Sequence, residues 1–183
     1  NPPYSNTAYS EIAFVELMLD TLLPDSIGVA IVPVNAVSSR TKIHNDNDLY
    51  KERILKKHSL LASIEMPKNL FFPKGTETVV LVFRTGMANA GNDTWFAKFD
   101  DGFELLKHQK TRTPTSDSDR LLETFLEDYR TRAVTDHSFL REVRPDEQWV
   151  YTLFADNDYQ VTKADLQKVV NDFVAYLITN QYI

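Results

Sequence analysis

Gly28–Val34 reads GVAIVPV, a short unbroken run of apolar and mostly β-branched residues. With no polar residue to face water, it predicts a strand covered on both faces, the kind found in a parallel sheet. Working outward, residues 10–24, SEIAFVELMLDTLLP, place Ile12, Val15, Leu19 and Leu22 at helical spacing, with Ser10 as N-cap and Pro24 and Gly28 as stop signals. Downstream, the polar stretch SSRTKIHNDNDLY predicts a loop, and LYKERILKKH a short helix with Leu49, Ile54 and Leu55 inward. LLASIEM, stopped by Pro67, and TVVLVFRTG, apolar almost throughout, predict two more strands around the loop NLFFPKGTE. Helix, strand, helix, strand, strand in this order predicts the back half of an α/β sheet with covered faces.

After Gly86 the texture changes. MANAGND reads as a connector, and TWFAKFDDGFELLKHQKT as a hairpin turning at Asp100-Asp101-Gly102. TPTSDSD is expected to cap a helix over DRLLETFLEDYRTRA. The tail predicts a further helix, with Thr162 and Asp165 in capping-box spacing and an apolar stripe of Leu166, Val169, Val170, Phe173 and Leu177. The organisation expected is thus three regions: 1–86, half of an α/β domain; 87–135, a hairpin plus helix; and 136–183, a helical region.

Composition narrows the function classes. In 183 residues there is no cysteine, which excludes disulfide frameworks, thiolate metal sites and cysteine nucleophiles and fits a reducing cytoplasm. No apolar run approaches the ~20 residues needed to span a bilayer. The net charge of −6 argues against a protein that coats nucleic acid by charge alone. Two basic clusters, Lys51/Arg53/Lys56/Lys57 and Lys107/Lys110/Arg112, read first as solvated faces. His44, His58, His108 and His137 are dispersed, without metal-ligand spacing. Asp100-Asp101 is better explained by the turn than as an acid pair.

Asn1-Pro2-Pro3-Tyr4 carries the chemistry. An exocyclic ring amine is a poor nucleophile because its lone pair is delocalised. A side-chain carbonyl (Asn1) and a backbone carbonyl (Pro2) can accept its two hydrogens and favour a pyramidal nitrogen with its lone pair aimed at a methyl donor. Proline fixes φ and needs no N–H partner, so the bracket is stiff, and Tyr4 can stack on a base drawn out of a duplex. This is catalysis by positioning, without a dissociable base.

This tetrapeptide resembles the NPPY motif of adenine-N6 DNA methyltransferases. ELMLDTLLPDSIGVAIVP, MPKNLFFPKGTETVVLVFRTG and WFAKFDDGFELLKHQKTRTP are similar, in that order, to segments of type I restriction-modification methylase subunits. The likeness covers roughly the first two-thirds of the chain. It implies a Rossmann-like fold that uses S-adenosylmethionine and double-stranded DNA with a flipped adenine, working with specificity and restriction subunits. It assigns Asn1, Pro2 and Pro3 to the catalytic motif and Tyr4 to stacking, with Phe71 or Phe72 lining the base pocket.

In that family the motif follows the fourth strand, so the resemblance implies a C-terminal fragment, inactive alone. The five glycines at 28, 75, 86, 91 and 102 never fall in a G-x-G spacing, and the usual cofactor loop is lacking. GVAIVPV is then expected at a sheet edge, closed by another chain, by self-association, or frayed. Glutamine-N and guanine-N2 methyltransferases share the motif, and the hairpin and helical tail favour the DNA branch. A non-catalytic docking fragment is the alternative from another class. Asn-Pro-x-Tyr also serves as a docking peptide for phosphotyrosine-binding-type domains, but that use expects a disordered flank, and here a helix signal begins within a few residues.

Overall fold

The structure, a computed structural model, describes residues 2, 9–38, 46–72, 74–106, 108, 111–155, 167, 170, 171 and 173. Its centre is a mixed five-stranded sheet of β1 (Ile27–Pro33), β2 (Ser59–Glu65), β3 (Thr78–Arg84), β4 (Asp93–Lys98) and β7 (Ser138–Glu142), in the order β1-β3-β2-β4-β7. β3 runs antiparallel to both β1 and β2, whereas β2 and β4 are parallel. A separate two-stranded ribbon pairs β5 (Phe103–Leu106) with β6 (Thr111–Pro114). The helices are α1 (Glu11–Thr21), α2 (Val34–Ser38), α3 (Asp46–Lys57), α4 (Ser118–Thr131) and α5 (Tyr151–Phe154).

One sheet face carries the main core. Ala30, Val32, Leu60, Val79, Leu81, Phe83 and Phe96 are buried there with Ile12, Val15 and Leu19 of α1 and Ile54 and Leu55 of α3. α1 starts where the sequence predicts, with the Ser10 hydroxyl accepting from Ala13 N–H at 3.3 Å. It ends one residue before Leu22, which caps the helix and is exposed. α1 and α3 are pinned by the bidentate Arg53–Glu16 pair (2.7 and 2.8 Å) and by Lys57–Asp20. Leu49, expected inward, is 52% exposed. Its turn of α3 instead turns Asn47 and Lys51 inward, both buried.

The opposite face is covered by α4, whose Phe125 and Tyr129 pack on Trp95 with ring centroids 5.5 and 5.6 Å apart. This cover does not reach β1, where Ile27 and Val29 are 57% and 51% exposed. The expectation that GVAIVPV is buried on both faces is therefore corrected. β1 alternates over residues 27–30 because, among the described residues, a helix layer covers only one of its sides there.

Two further expectations change. β4 and β5 do not form the Asp-Asp-Gly hairpin. The four central residues of β4 are all buried, and an isolated hairpin cannot cover both sides of such a strand. β4 joins the main sheet beside β2, while β5 pairs with β6. At the junction Asp100 accepts from Gly102 N–H and Asp101 from Phe103 N–H, so these acids do serve the turn. Finally, the sheet crosses both expected region boundaries. β7 lies in the segment expected to be helical, and Val143, Trp149 and Val150 belong to the main core. The tail helix falls mostly outside the described residues; residues 167, 170, 171 and 173 are helical, and Val170 and Phe173 are exposed.

Candidate active site

β1, β2 and β4 all point the same way, so Pro33, Glu65 and Lys98 end at one edge of the sheet, where β3 begins at Thr78. In open α/β sheets ligands bind beyond the carboxyl ends of such strands. The loop from β2 to β3 emerges here with Phe71 and Phe72. It is tied down at both ends, by Met66 N–H to Thr78 O (3.0 Å) and Val34 N–H to Glu77 O (2.9 Å). Successive turns at Leu70, Phe72 and Lys74, each N–H bonded three residues back, hold its middle. Phe71 is 37% exposed and Phe72 half-buried. Of the motif residues, Pro2 is half-buried, and Asn1, Pro3 and Tyr4 lie outside the described residues. No hydrogen bond or ring contact among the described residues joins Pro2 to either phenylalanine.

Several groups at this edge carry no obvious motif. The Glu65 carboxylate is buried and accepts from Thr152 N–H at 3.0 Å and Thr152 hydroxyl at 2.6 Å, which caps α5. Its only sequence signal is an acid ending an apolar strand. Tyr151, next to it, donates to Asp136 O at 2.9 Å. Burial pushes its phenol up, and the charges of Asp136 and Glu65 add to that. Lys51, 3% exposed, donates to Val37 O (3.0 Å) and Glu147 O (2.9 Å) and lies 5.2 Å from the Trp149 ring. Trp149 N–H also reaches Val37 O, and the Ser63 hydroxyl donates to Trp149 O at 2.7 Å. Residues 143–155 thus strap α2 to β2 beside the edge.

Beyond the end of β4, a cavity of about 380 Å³ opens between the sheet and α4. Its floor is Phe99 and Phe125, centroids 4.6 Å apart, and its rim mixes Lys98, Asp128 and His137. Such a floor suits a flat ring, and the rim carries both signs of charge. Of the other histidines, His58 is held by Asp20 (3.2 Å) and Gly86 N–H (3.2 Å), and His44 lies outside the described residues. No group of three or more possible metal ligands occurs among the described residues, and no described helix is long and apolar enough to cross a membrane.

The N-6 DNA Methylase family model matches residues 1–175. The chain belongs to that family. A relative, the type II restriction enzyme and methyltransferase RM.BcgI of Heyndrickxia coagulans, is 25% identical over 96% of the chain, which spans 29% of that protein's length. Among solved structures, the methyltransferase subunit of a type I restriction-modification system from Streptococcus thermophilus superposes with a TM-score of 0.56 at 18% identity, over 90% of this chain and 33% of its own. A chain from a structure describing complex assembly of the type I R-M system gives 0.58 at 13%, over 100% and 39%. The N-6 DNA methylase fold is therefore shared. In this family member β1, β2 and β4 end together at one edge of the sheet.

Proposed function

We propose that this chain is the substrate-side part of a DNA adenine-N6 methyltransferase of the type I restriction-modification kind. The observation that carries the reading is Asn1-Pro2-Pro3-Tyr4 at the head of the family match. An antiparallel β3 between two parallel strands, with β1 outermost, supports the further reading as half of a Rossmann-like sheet. By parity with the Thr85 N–H to Ser26 O bond, Ile27 and Val29 turn their backbone groups away from β3. An additional strand would lie there.

In this reading the Asn1 amide oxygen and the Pro2 carbonyl accept the two amine hydrogens of a flipped adenine, and Tyr4 stacks on its ring. Phe71 or Phe72 closes the base pocket from the β2–β3 loop. S-adenosylmethionine supplies an electrophilic methyl group when bound. The glycines of this chain do not make its cradle. Gly75 and Gly91 have open space where a Cβ would sit, Gly28 packs against Leu19, and Gly86 and Gly102 sit against Pro24 and Ser118. The isolated chain is accordingly expected to be inactive. Its partners are double-stranded DNA and specificity and restriction subunits, in the cytoplasm.

The test joins this chain to a cofactor-binding N-terminal half and offers DNA, tRNA and a glutamine-bearing peptide. Methylation of adenine in DNA is expected. Asn1→Ala should lower it about a hundredfold or more, the scale of losing one directed polar contact at a reacting centre. Undiminished methylation removes the role assigned to Asn1, and transfer only to tRNA or peptide selects the other NPPY chemistries. Micromolar binding of S-adenosylmethionine to this chain alone, by calorimetry, would overturn the fragment reading. No methylation by the joined protein, with this chain holding a partner subunit, would select the docking alternative.

A further inference from the structure

The far edge of the sheet, β7, carries an inference independent of methyl transfer. Lys98 N–H donates to His137 O at 2.9 Å, and the register pairs Ala97 with Ser138 through Asp93 with Glu142. Bonded and non-bonded pairs alternate in an antiparallel ladder. His137, Phe139 and Arg141 therefore turn their backbone groups toward β4, whereas Ser138, Leu140 and Glu142 turn theirs outward. Ser138 satisfies its own through a reciprocal pair with Thr135, at 3.2 and 3.1 Å. The N–H and C=O groups of Leu140 and Glu142 find no partner among the described residues. No proline interrupts the strand, and no lysine lies in it.

This edge borders a groove of about 450 Å³. On one side of the sheet the groove is aromatic. Phe139 and Tyr151 lie 5.3 Å apart, and the Arg141 guanidinium lies 4.2 Å over Phe154. On the other side are exposed Val134 and Leu140. Arg141 gives one bond to Glu147 (2.8 Å) and remains 44% exposed.

We propose that β7 is a strand-addition site for an extended segment of a partner polypeptide. Outward donors and acceptors two residues apart match a strand backbone and no other common ligand class. Antiparallel addition places the residue bonded to Leu140 beside Val134, where an aliphatic side chain fits. The residue before it faces Arg141 and suits an acid; the one after it faces Phe139 and Tyr151 and suits an aromatic ring. The preferred partner sequence is thus acidic, aliphatic, aromatic.

The test uses the 183-residue chain and the acetylated heptapeptide amide Thr-Thr-Glu-Val-Phe-Thr-Thr, followed by amide exchange in nuclear magnetic resonance spectra. Peptide is expected to slow exchange at Leu140 and Glu142 at least tenfold. Leu140→Pro removes the outward N–H without touching the β4 ladder, and should weaken binding about tenfold or more, the value of one net hydrogen bond. Leu140→Thr keeps the N–H and should bind within about threefold. Methylating the valine nitrogen of the peptide should abolish binding. Circular dichroism confirms that the variants fold. Three results overturn the proposal: no protection at about 1 mM peptide, equal binding by Leu140→Pro, or concentration-dependent protection without peptide, which makes the occupant a second copy.

Discussion

Trp149→Ala tests whether the segment after β7 is part of the core or an appendage. The side chain is fully buried, its indole N–H donates to Arg144 O at 3.1 Å, and one ring face meets the Lys51 ammonium at 5.2 Å. Truncating a buried tryptophan costs about 3–5 kcal/mol, and losing the desolvated cation–π contact adds about 1 kcal/mol. The expected loss is about 4–6 kcal/mol, a large part of the stability of a domain this size. Trp149→Phe keeps most of the volume and should cost only about 1–2 kcal/mol, mainly the lost indole bond to Arg144 O, which still accepts from Glu147 N–H at 3.2 Å. Urea unfolding followed by circular dichroism measures both. A double-mutant cycle with Lys51→Met should return a coupling of about 1 kcal/mol. A loss below about 1.5 kcal/mol for Trp149→Ala would refute the reasoning, because it would mean that residues 143–155 peel from the sheet without disturbing it.

Other outcomes follow from single sites. The Lys57 ammonium bonded to Asp20 holds its carboxyl below the ordinary 3.8, against the opposing effect of burial, with His58 adding in the same direction. A depressed carboxyl stabilises the fold above its ordinary value, and that contribution disappears as pH falls through the lower folded value. Asp20→Asn should therefore cost under about 1 kcal/mol at pH 7, since the pair is solvent-screened, and wild type and variant should converge in urea titrations at acid pH. Gly102 has φ 64°, and a Cβ there would stand 3.0 Å from Ser118 Cα. Gly75 has the same φ and open space. Alanine at Gly75 should cost about 1–2 kcal/mol, the left-handed penalty alone, and alanine at Gly102 measurably more by thermal unfolding. In hydrogen exchange of the isolated chain, the amides of Ile27 and Val29 should exchange much faster than those of Gly28, Ala30 and Val32; equal protection would show that β1 is not an edge.

The sequence alone determined the family and the local structure of the first half of the chain. Helical spacing and a serine cap set α1, β-branched runs set β1 and β3, and an apolar run stopped by Pro67 set β2. The tetrapeptide Asn1-Pro2-Pro3-Tyr4 carried the expectation of amine methylation. Each of these signals is local: a period, a cap or a motif. Which strand lies beside which is not local, and only the tertiary structure decided it. WFAK is apolar on both faces and sits next to a good turn, so hairpin and sheet interior compete; the interior won because it alone covers both faces. SFLRE, half polar, becomes a strand because β4 needs a neighbour on its far side. Lys51 meets Trp149, and Glu65 meets Thr152, across long sequence separations, where the gain comes from shared burial and satisfied polar groups that no spacing announces.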